Sequence, residues 1–139
     1  MFNCGARIDF INNIYIKMII SISGSRNYDN YDFIKYALDH YKIEKINVGD
    51  AKGVDSLVVR YCQEKEIPYE IFNVNWNPVD QITGVGSYDK AAGLKRNYEI
   101  IKGTELLIAF PSRYSNGTKH AINIASKNFG IPVHYCYID

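Results

Sequence analysis

The 139-residue chain has 47% hydrophobic residues and a formal net charge of +1, enough apolar content to build one core and too much for a disordered chain. A balance so near neutrality disfavours affinity that rests on a broad basic surface, so nucleic-acid binding is disfavoured while a local anion site stays open. The three cysteines, Cys4, Cys62 and Cys136, lie far apart without a C-x-x-C pair, which suggests neither a disulfide framework nor a zinc site and fits a reducing, cytoplasmic setting.

The most apolar run, Ile14 to Ile22, is short for a membrane span and is broken by Lys17 and Ser21. The residues before it lack the small-residue cleavage site of a secretory signal. Met18 falls directly before the first patterned segment and reads as the true or an alternative start, which leaves Met1–Lys17 as a loosely packed extension, with a real extra strand or helix at Ile8 to Ile16 as the competing reading, and 18–139 as the domain.

The first element is the β-branched run around Ile19, Ile20 and Ile22, which suits a central strand and ends in Gly24-Ser25-Arg26. Glycine permits a tight turn, and a hydroxyl and a cation at a strand's carboxyl end are the makings of an anion-binding turn. Ile34, Ala37, Leu38 and Tyr41 then recur at helical spacing. A second strand, Lys45 to Val48, opens into Gly49-Asp50-Ala51-Lys52-Gly53-Val54-Asp55, after which Val54, Leu57, Val58, Tyr61 and Cys62 mark a helix stripe. Asp55 falls in that helix's first turn, where a carboxylate suits the positive end of the dipole.

Ile67-Pro68 stops the helix, Tyr69 to Val74 reads as a third strand, and Asn75 to Tyr88 as a long loop in which Trp76 either caps the core, the favoured reading, or flanks a ligand base. From Lys90 a helix is predicted with Ala91, Leu94, Tyr98 and Ile101 on its buried stripe, Lys95 and Arg96 away from it, and Asn97 on its flank, where an amide needs a partner. Glu105 to Phe110 is the fourth strand, followed by a polar turn ending in Ser115-Asn116-Gly117-Thr118. A last helix bears Ala121, Ile124, Ala125 and Phe129, and Val133 to Tyr137 is the fifth strand.

Strands alternating with helices predict an α/β, Rossmann-like doubly wound fold: a mainly parallel five-stranded sheet of order 3-2-1-4-5 with helices on both faces. The reversal of winding then leaves a crevice between strands 1 and 4 at their carboxyl ends. It gathers Gly24, Ser25 and Arg26, the turn Gly49, Asp50, Lys52, Gly53 and Asp55, and Ser115, Asn116, Gly117 and Thr118 into one site for a phosphorylated or anionic ligand.

These turns, together with Ala92-Gly93-Leu94-Lys95-Arg96-Asn97, Ala109-Phe110-Pro111 and Gly117-Thr118, resemble the SLOG superfamily of Rossmann-like domains, and most of all its small YspA-type proteins. The resemblance spans nearly everything from Met18 onward and implies a nucleotide-derived ligand in the crevice, with Arg96 and Asn97 added to the ligand-binding set. The Lonely Guy hydrolases, related proteins that cleave nucleoside monophosphates, carry Pro-Gly-Gly-x-Gly-Thr-x-x-Glu; here Ala121 stands where that glutamate would be, and alanine cannot act as an acid or base. The DNA-processing A proteins, which bind single-stranded DNA, resemble the chain at Gly49 to Asp55 and at Arg96-Asn97.

The expected function is therefore binding of a nucleotide or nucleotide-derived ligand, as a sensor or regulatory module. The alternatives are N-glycosidic hydrolysis with Asp55 or Glu99 as acid-base residue, and single-stranded DNA binding. No metal is implied, no cofactor beyond the nucleotide-like ligand is expected, and a homodimer is a general prior for such domains.

Overall fold

A computed structural model describes residues 17–112 and 116–138. The expected extension Met1–Lys17 therefore lies outside the described residues except for Lys17, as does Ser115.

Five strands, β1 (Met18–Gly24), β2 (Ile43–Gly49), β3 (Tyr69–Phe72), β4 (Leu106–Phe110) and β5 (Val133–Tyr135), form one sheet of order β3-β2-β1-β4-β5. Every pairing in it is parallel. Four helices, α1 (Tyr31–Leu38), α2 (Val54–Lys65), α3 (Ala92–Ile101) and α4 (Asn116–Asn123), alternate with the strands, and α4 runs on as a π-helical turn, Ile124–Asn128. This is a Rossmann-like doubly wound fold.

The alternation along β1 explains the two faces. Ile20 and Ile22 are fully buried with Ile46, Val48, Leu106 and Ile108 against α1 and α2. Burial of each such side chain contributes about 1.5–3 kcal/mol, more than the roughly 0.5–1.5 kcal/mol net of one ladder hydrogen bond. The apolar pattern therefore decides which way β1 faces. On the other face Leu107 packs with Ile100, Ile101, Ala121 and Ile124 beneath α3 and α4. There β1 presents serines: the Ser21 hydroxyl lies 3.1 Å from that of Thr104 and donates to the Leu106 carbonyl at 3.2 Å, which satisfies a buried polar group.

Three predicted features differ. In α3, Leu94 is 50% and Tyr98 39% exposed, whereas Ala92, Ile100 and Ile101 are buried and the Arg96 side chain is only 15% exposed. The helix is turned by what Arg96 finds, as described below. Trp76 does not cap the core; it is half exposed and stacks on Tyr88 at 6.1 Å, with its ring edge over Gly93. Cys62 is a buried free thiol, while Cys136 is disulfide-bonded, although the wide cysteine spacing suggests no disulfide framework.

The turns after β1 and β2 are locked to each other. The Val54 N–H donates to the Ser25 carbonyl at 2.9 Å. Gly53 adopts φ 76° and ψ −128°, and a Cβ there would overlap the Ser25 carbonyl oxygen and come within 2.6 Å of the Arg26 carbonyl oxygen. Both the dihedral and the close approach demand glycine. Gly53→Ala is expected to cost more than the roughly 1–3 kcal/mol of backbone strain alone, because a rigid backbone must also retreat. Urea unfolding would show this as a lower midpoint, and an unchanged midpoint would mean that the two turns are not held in contact.

Candidate functional site

The winding reversal falls between β1 and β4, and a crevice of about 530 Å³ opens there at the strands' carboxyl ends. That size lies within the range of small-molecule sites. Of the residues named from sequence, Gly24, Ser25, Arg26, Gly49, Asp55, Arg96, Asn97, Asn116, Gly117 and Thr118 line it. Gly53, Asp50 and Lys52 are not part of the lining: Gly53 packs against the backbone of Ser25 and Arg26, while Asp50, paired with Arg96, and Lys52 are exposed. Glu99 is exposed on α3 beside a separate hollow with Leu94, Tyr98 and His120.

The β1 turn brings a hydroxyl and a cation. Ser25 Oγ accepts from the Asn27 N–H at 3.3 Å, which shapes the turn. Arg26 is exposed, and its guanidinium makes no ion pair among the described residues. Beneath them Ser23 donates to Thr118 Oγ1 at 3.5 Å, which ties the end of β1 to the first turn of α4.

Arg96 has a different task. One Nη1 donates to Asp50 Oδ1 at 2.6 Å and to the Phe72 carbonyl at 3.2 Å, while Nε donates to Asn97 Oδ1 at 3.2 Å. The other Asp50 oxygen accepts from the Val74 N–H at 3.3 Å. These partners on the β2 and β3 side draw Arg96 inward and turn α3 about its axis. Asn97 then donates to the Gly117 carbonyl at 3.5 Å, and its amide nitrogen stands 3.3 Å from His120 Nδ1. The partner expected for its amide is found on α4. Burial lowers the pKa of His120.

Asp55 is 6% exposed, although it occupies a helix's first turn. Oδ2 accepts from the Ala51 N–H at 3.2 Å, and Oδ1 makes no hydrogen bond to the described residues. Desolvation raises its pKa to about 6; the Ala51 hydrogen bond and the nearby charges of Arg96 and Arg26 only partly offset this, and Asp50 adds to it. Gly49 makes the packing feasible: a Cβ on it would lie 2.8 Å from both Asp55 Oδ2 and Arg96 Nη1.

Sequence reasoning did not single out Ser23, Tyr28, Ser112 or Ile138, all of which line the crevice. A lone aromatic in the polar run Asn27-Tyr28-Asp29 was an available signal; Ile138, beyond β5, offered none. Ala121 is buried in the core under α4 and does not line the crevice, so no carboxylate enters the site from that position. No group of three or more His, Cys, Asp or Glu among the described residues is placed to hold a metal ion. Among the described residues no helix is long and apolar enough to cross a membrane. No protein-family model matches the chain, and no curated protein matches it.

The buried carboxyl sets a pH dependence. Its folded pKa of about 6 exceeds the unfolded value near 4, so folding favours the protonated form. The contribution of Asp55 to stability is full below about pH 4 and is lost as pH rises through about 6. Asp55→Asn removes the charge and is expected to stabilise the protein by about 1–3 kcal/mol at pH 7.5, the difference from wild type shrinking steadily towards pH 4.5. Thermal unfolding of both proteins across that range checks the sign, which is reversed if Asp55 is a stabilising carboxylate.

Proposed function

We propose that this chain is a SLOG-type domain that binds a nucleotide or nucleotide-derived anion in the β1–β4 crevice, as a sensing or regulatory module. One arrangement carries the reading: Arg26, which makes no ion pair among the described residues, the hydroxyls of Ser25 and Thr118 and the amino terminus of α4 converge on one crevice. Arg96 is already neutralised by Asp50, so Arg26 and the α4 amides are left to meet the anion. Tyr28 and Ile138 supply an apolar wall to which a ring system can be applied.

Gly117 adds support. At Gly24, Gly49 and Gly53 the protein itself fills the place of a Cβ, whereas at Gly117 an added Cβ would meet none of the described residues within 4 Å. None of them requires glycine there, while close approach of a ligand to the helix terminus does.

Calorimetric titration with the four ribonucleoside 5′-monophosphates tests the reading. At least one is expected to bind stoichiometrically, and Arg26→Ala to weaken it about ten-fold or more, the loss of a charge-assisted hydrogen bond of about 1.5–3 kcal/mol. Gly117→Ala should weaken binding with no loss of melting temperature, and Lys52→Ala, outside the crevice, should leave both unchanged. No saturable binding by any of the four, or wild-type affinity in Arg26→Ala, overturns the assignment.

A further inference from the structure

We propose that Asp55 is the specificity-determining residue of this crevice: its free carboxyl oxygen receives a sugar hydroxyl, so the site selects phosphorylated sugars over phosphate monoesters that carry no hydroxyl. The inference rests on the anion reading above and adds what the anion must be attached to.

The geometry supports it step by step. Asp55 is almost wholly buried, yet it lines the crevice, and among the described residues only one of its two oxygens is hydrogen-bonded, by the Ala51 N–H. The other oxygen is open to the crevice and not sealed in the core, so a ligand donor can reach it. An ionised carboxylate is an acceptor only, so it repels phosphate and takes a donor. The groups that face it choose the kind of donor. Arg96 from α3 and Arg26 from the β1 turn act on it with positive charge, and Asp50 from the β2 turn with negative charge. Two guanidiniums beside the site disfavour an ammonium donor and leave a neutral hydroxyl as the better fit.

The layout of the crevice follows the sheet. Asp55 and Gly49 stand at the β2 side, while Ser25, Arg26 and Thr118 stand at the junction of β1 and β4. A ligand that spans both needs an anion and a hydroxyl on one small frame, which is the chemistry of a sugar phosphate. Gly49 keeps the floor open at the hydroxyl end, because any larger residue would displace Asp55 Oδ2 and Arg96 Nη1 together.

The test uses ribose 5-phosphate and ethyl phosphate, two monoesters of the same charge of which only the first bears hydroxyls. Their affinities are measured by calorimetry at pH 7.5 and at pH 5.0, so that titration of the phosphate largely cancels in the ratio. The wild-type protein is expected to prefer ribose 5-phosphate by about ten-fold or more at pH 7.5. That preference should fall several-fold at pH 5.0, where Asp55 is protonated and the hydrogen bond loses its charge. Asp55→Asn should show a reduced preference already at pH 7.5, with ethyl phosphate bound at least as well as by the wild type. Should that variant fail to fold, the wild-type pH series decides alone. A preference that survives both the substitution and acidification overturns the role of Asp55. Equal binding of the two monoesters does the same while leaving the anion reading standing, and failure of both to bind removes the two together.

Discussion

Everything at the carboxyl edge of this sheet depends on Gly53 lying against the backbone of Ser25 and Arg26. The turn after β2 can pass under the turn after β1 only because no Cβ intervenes, and the Val54 N–H then reaches the Ser25 carbonyl. Gly24 repeats the device one step back, since a Cβ there would press on the Val54 side chain at 2.7 Å. The consequence is functional as well as structural. α2 starts where Asp55 must face inward, and Ser25 and Arg26 are carried by a turn that a second element supports from below. A site on loops is usually mobile; here the loops brace each other.

The two faces of β1 explain why there is a crevice to brace. Ile20 and Ile22 fill the side under α1 and α2 completely, whereas Ser21 and Ser23 present small hydroxyls to the side of α3 and α4. Small side chains at the end of a central strand leave volume, and hydroxyls keep that volume polar. Asn47 on the neighbouring strand follows the same logic, being buried and donating to the Ile100 carbonyl at 3.1 Å. The sheet is therefore close-packed on one face and opens towards its carboxyl edge on the other, which is where a doubly wound fold places its ligands.

Much of this was legible from residue order. Strand runs of β-branched residues, each ending in a glycine or polar turn, specify a parallel sheet, and the handedness of crossovers leaves few strand orders to choose from. Gly24 to Arg26 and Gly117-Thr118 could be placed together on topology alone. What periodicity could not supply was the orientation of α3. Leu94 and Tyr98 look like its buried stripe, but the helix turns instead to satisfy Arg96 with Asp50 and the Phe72 carbonyl, partners 46 and 24 residues away. A hydrogen-bonded charge pair at a partly buried position outweighs the burial of two side chains that can remain half wet. Asp55 could be placed at the crevice from the sequence, but its burial could not, since a carboxylate in a helix's first turn is ordinarily a solvated one; that burial follows from the Gly49 floor and the Gly53 contact, which are tertiary facts.

The charge in the crevice is governed by how those tertiary contacts use up partners. Asp50, Arg96, Asn97 and the Gly117 carbonyl form one relay from the end of β2 through α3 to the start of α4. Each member holds the next, and a pair at 2.6 Å with the arginine largely out of water is costly to break from one side. Arg96 is thus a brace that sets where the amino terminus of α4 points. Had Asp50 been absent, Arg96 would itself be the obvious anion contact, and α4 would have lost its anchor. With Asp50 present, the positive potential of the crevice comes from the exposed cation Arg26 and from the backbone amides at the start of α4, and the nearby buried carboxyl of Asp55 limits it. On the function proposed above, such a balance would favour one anion on a hydroxyl-bearing frame over a polyanion, which requires a broad field of positive charge.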